Sequence, residues 1–164
     1  MENSPTEIKK TEEDRYKSLF MASRDAIMTL EPPSWKFSSC NPATVKLFRA
    51  KDEAEFVACE PWKVSPEIQS DGRPSAQKAK EMIFMALQEG SHSFEWIHRK
   101  LDGEDFPAEV LLSRVDHGGE TFLLAVIRDI TEQKKVQDLL KNMEKVLAEK
   151  ELEITELKNK LAEK

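Results

Sequence analysis

The sequence predicts an α+β domain with an antiparallel sheet of about five strands, followed by a long C-terminal helix. Two observations carry that prediction. In residues 94–99 the side chains of Phe94, Trp96 and His98 alternate with those of the residues between them, and residues 106–115 return after an Asp102-Gly103 turn, as the second strand of a β-hairpin does. Residues 122–127 form an apolar run typical of a buried strand, and from Val136 the pattern is helical to the end of the chain.

Proline and capping residues delimit the first elements. Ser4-Pro5-Thr6-Glu7 is a capping box with proline at the first helical position, so we expect an amphipathic N-terminal helix within residues 1–22. Residues 26–30 and 35–40 are predicted strands, because Pro32-Pro33 forms a turn between two apolar stretches.

Further helices are predicted from their start and stop signals. Asn41 and Asp52 each precede a short helical pattern and are predicted N-caps. Residues 75–89 repeat apolar side chains at helical spacing, and Gly90 follows as a C-terminal stop. Thr131 is likewise a predicted N-cap, for the C-terminal helix that follows the last strand.

Charge and composition narrow the possible environments of the chain. The net charge is −6, and nothing resembles the basic surface of a protein that binds nucleic acid directly. No apolar run approaches the roughly 18 residues needed to cross a bilayer. Two cysteines, Cys40 and Cys59, do not make a disulfide framework. We therefore expect a cytoplasmic protein without a membrane segment.

The motifs of common catalytic and metal sites are not found in the sequence. It contains no glycine-rich phosphate loop, HExxH or CxxC, and His92, His98 and His117 lack the spacing of metal ligands. Residues 132–164 contain no histidine that could accept a phosphate in a histidine kinase. We expect a protein without enzymatic activity and without a metal site.

Three motifs in this order resemble those of PAS domains, the small sensory modules of bacterial signalling proteins. They are Cys40-Asn41-Pro42-Ala43, then Leu101-Asp102-Gly103-Glu104 with Phe106-Pro107 after it, and Arg128-Asp129-Ile130-Thr131. The resemblance covers about residues 16–135. It implies a five-stranded antiparallel PAS sheet with flanking short helices, whose concave face can enclose a ligand. It also implies that Asp129, Ile130 and Thr131 couple the last strand to an output helix.

With this resemblance we expect three parts: an N-terminal helix (residues 1–22), a PAS domain (23–131) and a coiled-coil signalling helix (132–164). The predicted pocket is apolar and aromatic with one titratable group. Its candidate residues are Phe84, Met85, Phe94, Trp96, His98, Val110, Leu112, Leu124 and Val126. Such a pocket suits a small apolar or aromatic ligand, and a filled core with no ligand is an equally good interpretation.

Two cofactors are disfavoured by the residues present. Haem-binding PAS domains usually place a histidine on the long helix, and residues 75–89 contain none, so His98 with Met82 or Met85 would have to substitute. Flavin photoreceptors of this fold carry a cysteine motif that Cys59-Glu60-Pro61-Trp62 matches only at the cysteine. No cofactor is therefore the favoured interpretation.

The C-terminal helix carries a heptad pattern that predicts a parallel homodimeric coiled coil, with Lys150 as a polar interruption. The predicted dimerisation residues are Val136, Leu140, Met143, Leu147, Ile154, Leu157 and Leu161. One alternative is a single amphipathic helix packed on its own PAS domain. The favoured function is a sensor or dimerisation module of a signal-transduction or transcription regulator with a separate effector domain. A ligand-free assembly module and, less favoured, a haem-based sensor are the alternatives.

Overall fold

A computed structural model describes residues 5–162 of the chain, with side chains described from residue 13 onward. The chain divides into two compact units between Asp129 and Ile130. The elements are α1 (Pro5–Ala22), β1 (Ala26–Glu31), β2 (Lys36–Cys40), α2 (Pro42–Phe48), α3 (Glu53–Val57), α4 (Ser75–Glu89), β3 (Ser91–Arg99), β4 (Asp105–His117), β5 (Glu120–Asp129) and α5 (Thr131–Ala162).

The five strands form one antiparallel sheet, as the sequence predicts. Their order is β2-β1-β5-β4-β3, so the first and last strands of the chain's sheet region, β1 and β5, pair at its centre. The hairpin of β3 and β4 follows the predicted turn at Asp102-Gly103, and residues 118–119 join β4 to β5. The predicted α+β class is therefore confirmed.

Local capping chemistry explains where the short helices begin. The Asn41 side chain accepts a hydrogen bond from the Thr44 N–H at 3.0 Å, and that of Asp52 accepts one from the Glu55 N–H at 2.8 Å. Helix α4 ends at Gly90, whose φ of +85° is the left-handed conformation that glycine adopts without strain. Ser4 of the predicted capping box lies outside the described residues.

The start of α5 differs from the prediction by one residue. Helix α5 begins at Thr131 itself, and the carbonyl of Ile130 accepts the first helical hydrogen bond, from the Lys134 N–H at 2.9 Å. Ile130 thus has the cap position, and Thr131 is the first helical residue.

The hydrophobic core lies on one face of the sheet, beneath α2, α3 and α4. Strand β1 contributes its alternate residues Ala26, Met28 and Leu30, all buried. The rings of Phe37, Phe48 and Phe56 pack against one another with centroids 4.7 and 5.1 Å apart. The predicted apolar face of α4 packs against this cluster; its residues are Ala79, Met82, Ile83, Ala86 and Leu87.

One fully buried amide ties three of these elements together. The Nδ2 group of Asn41 donates to the carbonyls of Phe20, near the end of α1, and of Asp25, just before β1. Its Oδ1 accepts from the backbone N–H of Ile27 in β1 and from that of Thr44 in α2. A single side chain therefore satisfies backbone groups that no sheet or helix ladder reaches.

We predict that Asn41→Ala lowers the free energy of unfolding by about 3 kcal/mol, because it leaves several buried backbone groups without partners. Urea denaturation measures the change. Asp52→Ala is the matched control, since it removes one exposed capping bond and costs about 1 kcal/mol. Equal losses in the two variants would contradict a central role for Asn41.

Candidate functional site: an apolar cavity and a strand-to-helix junction

A cavity of about 70 Å³ lies between the inner face of the sheet and α4. Its walls come from all five strands, from α4 and from Pro61 in the loop before that helix. The lining residues are Met28, Leu30, Phe37, Pro61, Ala79, Met82, Ile83, Phe94, Trp96, His98, Val110, Leu112, Ala125 and Ile127. Nearly all of the surface that faces this space is apolar.

Strand register explains why these residues share one face. Phe94 lies opposite Val110, and Val110 lies opposite Ile127 on the next strand. Leu112 lies opposite Ala125, which in turn lies opposite Met28. Directly opposed residues of an antiparallel pair project to the same side of the sheet, so the set forms one continuous wall.

His98 is the titratable residue of this wall and is buried, with 7% of its surface exposed. Its Nδ1 lies 3.0 Å from the carbonyl oxygen of Val64, and the rings of Phe48 and Phe106 lie 5.2 and 5.7 Å away. Burial lowers the pKa of His98 to about 4, and the hydrogen bond to Val64 opposes that shift only in part. The imidazole is therefore neutral at physiological pH.

Trp96 stands beside His98 with its polar atom already satisfied. The indole Nε1 donates to the hydroxyl of Ser65 at 2.9 Å, and the ammonium of Lys78 lies 5.5 Å from the ring centroid. The indole thus presents an apolar surface to the cavity while its N–H group is bonded outside it.

The cysteines offer no reactive thiolate. Cys40 is buried, and this burial, with a smaller contribution from Glu53, raises the pKa of its thiol to about 11. Burial also raises the pKa of Cys59. Both cysteines are free, and both thiols are protonated at neutral pH. Among the described residues, no cluster of histidine, cysteine and acidic side chains could hold a metal ion.

The strand-to-helix junction is a single residue long. Strand β5 ends at Asp129 and α5 begins at Thr131, so buried Ile130 alone separates them. Arg128, the last residue but one of β5, pairs with Asp25 at 3.1 Å, which links the end of β5 to the start of β1. No glycine lies between strand and helix, so the backbone has little freedom to absorb a displacement of the strand end.

Helix α5 exposes a long apolar stripe. The seven predicted dimerisation residues have between 50% and 74% of their surface exposed, and no residue of the helix within the described range is buried. Lys150 interrupts the stripe and pairs with Glu153 at 2.6 Å. None of the helices in the described part of the chain is long and apolar enough to span a membrane.

Comparison with known proteins identifies the fold. The family model of the PAS domain matches residues 24–132. The chain belongs to the PAS domain family. A curated relative is the methyl sulfide methyltransferase-associated sensor of Methanosarcina acetivorans, which is 30% identical over 129 residues, covering 78% of this chain. The chain spans only 12% of the length of that relative.

Solved structures share the PAS fold at low sequence identity. The PAS domain of an HTR-like protein from Haloarcula marismortui is 24% identical with a TM-score of 0.60, covering 77% of this chain and all of that one. A PAS domain from a two-component sensor histidine kinase is 19% identical with a TM-score of 0.59, covering 74% and 98% of the two chains. An RNA-binding light-oxygen-voltage receptor is 18% identical with a TM-score of 0.66, covering 87% and 39%.

The PAS cavity contains five of the nine residues predicted to line it. Phe94, Trp96, His98, Val110 and Leu112 all face it. That they bind a ligand stays a prediction. The sequence reasoning missed the wall formed by β1, of which the alternation of apolar residues at 26, 28 and 30 was the available signal.

Four predicted lining residues lie elsewhere. Leu124 and Val126 lie on the opposite face of the sheet, and the cavity is lined instead by their neighbours Ala125 and Ile127. Strand β5 is apolar on both faces, so its sequence did not reveal which residues point inward. Phe84, which is 60% exposed, and Met85 lie along a surface groove of α4, while Met82 and Ile83 face the cavity.

The size of the cavity excludes the two large cofactors. Pockets for drug-sized ligands have volumes of about 300–1,000 Å³, several times the volume found here. Haem and flavin therefore do not fit the cavity as it stands, although His98 and Met82 both line it. No step of a mechanism can be derived through either group.

We predict that His98 makes the PAS domain less stable in acid. The unfolded imidazole binds a proton below about pH 6.5, whereas the folded one does so only below about pH 4, so the free energy of unfolding falls as the pH drops between these values. The loss attributable to His98 is about 3 kcal/mol across that window. Urea denaturation at a series of pH values measures it.

His98→Asn keeps a donor near the position of Nδ1 but removes the titration, so its stability should change less over the same pH window. His117→Asn is the matched control, because His117 is exposed, and it should keep the pH dependence of the wild type. Identical slopes for the wild type and His98→Asn would contradict the assignment.

Proposed function

We propose that this PAS domain is the non-enzymatic, cytoplasmic sensory module of a signal-transduction or transcription regulator. A ligand- or partner-linked change in the domain is relayed through Asp129, Ile130 and Thr131 into α5. Helix α5 pairs with that of a second copy as a parallel coiled coil and holds an effector domain dimeric. The module itself binds neither nucleic acid nor membrane.

The observation that carries this proposal is the exposed heptad stripe of α5. Seven apolar side chains at heptad positions remain in contact with water along a helix about 48 Å long. A helix of this kind gains stability when a second helix covers the stripe, and a heptad repeat favours a left-handed pair. Lys150 in the core series favours a single register at some loss of stability.

The sensory role is supported by the relative from Methanosarcina acetivorans, which is named a sensor. The short junction supports the relay. With one residue between β5 and α5, a shift at the end of the strand changes the direction or rotation of the first turn of the helix. Paired helices convert such a change into a difference in pitch or register that an effector can detect.

A second function, a ligand-free assembly module, is favoured by the small size of the cavity. A void of about 70 Å³ is close to a filled core, and a domain without a ligand could serve only to hold effectors together. The two functions share the coiled-coil dimer and differ at the junction, since only the sensor needs Asp129 and Thr131 to transmit a change.

We predict that α5 is the main dimer contact. Truncation after Lys135 should lower the oligomeric state in sedimentation at micromolar concentration. Leu147→Lys places a charge on the stripe and should weaken the dimer at least about tenfold, because a core position is lost. Leu152→Lys is the matched control, since Leu152 is equally exposed, at 63% against 60%, but lies off the stripe.

Equal dimer affinities for Leu147→Lys and Leu152→Lys would show that the stripe is not the contact. A truncated chain that remains a tight dimer would assign the contact to the PAS face or to α1. Lysine has good helix propensity, so both variants should keep the helical content of α5 by circular dichroism.

We predict that Asp129 couples the domain to the helix. In Asp129→Ala, distances between nitroxide side chains placed at Glu149 of the two copies should change, while the melting temperature of the PAS domain stays close to that of the wild type. Asp138→Ala removes the same charge from the exposed side of α5 and should leave these distances unchanged. Unaltered distances in Asp129→Ala would show that the junction only connects the two elements, and would favour the ligand-free assembly module.

A further inference from the structure

Helix α4 carries apolar side chains on two adjacent faces. One face, with Met82 and Ala86, packs into the hydrophobic core. The other face presents Phe84, which has 60% of its surface exposed, together with Ala76 and Leu87. A helix that is apolar around much of its circumference is typical of one buried between two layers. In the described part of the chain, the domain supplies only one of these layers.

A surface groove of about 460 Å³ runs beside this second face. It is lined on α4 by Phe84 and Leu87, and its other residues include Trp35, just before β2, and Trp62, in the loop before α4. Trp62 is itself 39% exposed. We call this surface the α4 groove. Exposed aromatic side chains of this kind dominate the binding energy of protein interfaces, so the groove has the composition of a docking surface.

The α4 groove has a positive rim. Among the described residues that line it, Lys80 alone is charged, and Lys63 follows exposed Trp62 in the chain. In the described part of the chain, neither lysine pairs with an acidic side chain. A third lysine nearby, Lys36, pairs with Glu60 only at 3.7 Å. This local excess of positive charge stands out in a chain with a net charge of −6.

We propose that the α4 groove docks an amphipathic helix of another protein. The apolar face of that helix covers the aromatic residues, and its flanking acidic side chains pair with Lys63 and Lys80. This inference rests on the sensory role proposed above and names the class of partner in a partner-linked signal. Ala79 and Ile83 line both the groove and the internal cavity, so the docked helix contacts side chains that also face the sheet.

The spacing of the exposed residues on α4 favours a helical partner. Ala76, Lys80, Phe84 and Leu87 are separated by three or four residues, so their side chains form a ridge along one face of the helix. Such a ridge packs between the side-chain rows of a second helix. An extended peptide that adds to a sheet would instead need an exposed strand edge, and α4 offers none.

Three peptides of about 18 residues, roughly five helical turns, test the proposal on the full chain. They share leucines at spacings of three and four residues and carry glutamate, glutamine or lysine at the flanking positions. The glutamate peptide should bind about tenfold more tightly than the lysine peptide in fluorescence anisotropy at low salt. The comparison is decisive because a net charge of −6 favours the lysine peptide at any non-specific site.

Phe84→Glu should weaken binding of the glutamate peptide at least about tenfold, because it replaces an aromatic contact with a repelling charge. Leu19→Glu is the matched control on α1, since Leu19 is equally exposed, at 61% against 60%, and it should bind this peptide as the wild type does. Lys80→Glu should remove the preference for glutamate over lysine, and it covers the case in which Phe84→Glu fails to fold. A proline at the centre of the glutamate peptide should abolish binding, because it breaks the helix.

Equal affinities for the glutamate and lysine peptides, or an unchanged preference in Lys80→Glu, would overturn the proposal. So would equal binding by Phe84→Glu and Leu19→Glu, or a glutamate peptide that binds as well with the central proline, which would assign the groove to an extended segment. A lower oligomeric state of Phe84→Glu in sedimentation would assign it to a contact between copies of this chain, which also contradicts docking of a separate partner. The tests of α5 and Asp129 use other variants, so failure here leaves the proposed dimer and relay to be judged by their own results.

Discussion

The architecture of this PAS domain depends on the buried side-chain amide of Asn41. Its donors reach the carbonyls of Phe20 and Asp25, and its oxygen accepts from Ile27 and Thr44, so the amide joins α1, β1 and α2 at one point. Central strand β1 is paired on one side with β2 and on the other with β5, the strand that leads into α5. A displacement of β1 is therefore resisted at one end by the Asn41 bonds and along its length by the sheet.

Among the described residues, the buried polar atoms beside the cavity have hydrogen-bond partners, with one exception. The Nε1 of Trp96 and the amide of Gln69 are buried and bonded, the first to Ser65 and the second to the backbone of Ile97 in edge strand β3. His98 follows this rule at Nδ1 and departs from it at Nε2. Because its neighbours are aromatic and aliphatic, the ring remains neutral, and the unpaired acceptor lowers the stability of the folded domain.

The elements of the fold were predictable from the sequence because their signals are local. As helix caps, Asn41, Asp52 and Gly90 act through bonds or dihedral angles within a few residues, so pattern and structure agree. The cavity was predictable only in part, since its lining depends on strand register. On β3 the alternation of polar and apolar residues identified Phe94, Trp96 and His98, whereas apolar β5 gave no such alternation, and Leu124 and Val126 were assigned to the wrong face. On α4, Ile83 lines the cavity, whereas the next residue, Phe84, is exposed. The rotation of the helix about its axis decides which residue faces inward, and that rotation follows from packing against the sheet.

In the proposed relay, β5 connects the cavity to the C-terminal helix. Ala125 and Ile127 form part of the cavity wall, and Asp129 ends the same strand two residues later. A ligand that pushed on these two side chains would act on a strand that is hydrogen-bonded to β1 and β4 on either side, so both neighbours would share any displacement of β5. Such a motion ends at Ile130, where the backbone has no glycine and the first helical hydrogen bond is already formed with Lys134. A small movement in the domain would then rotate α5 about its axis. Pairing through a heptad stripe is sensitive to such a rotation, because the core residues must face the partner helix.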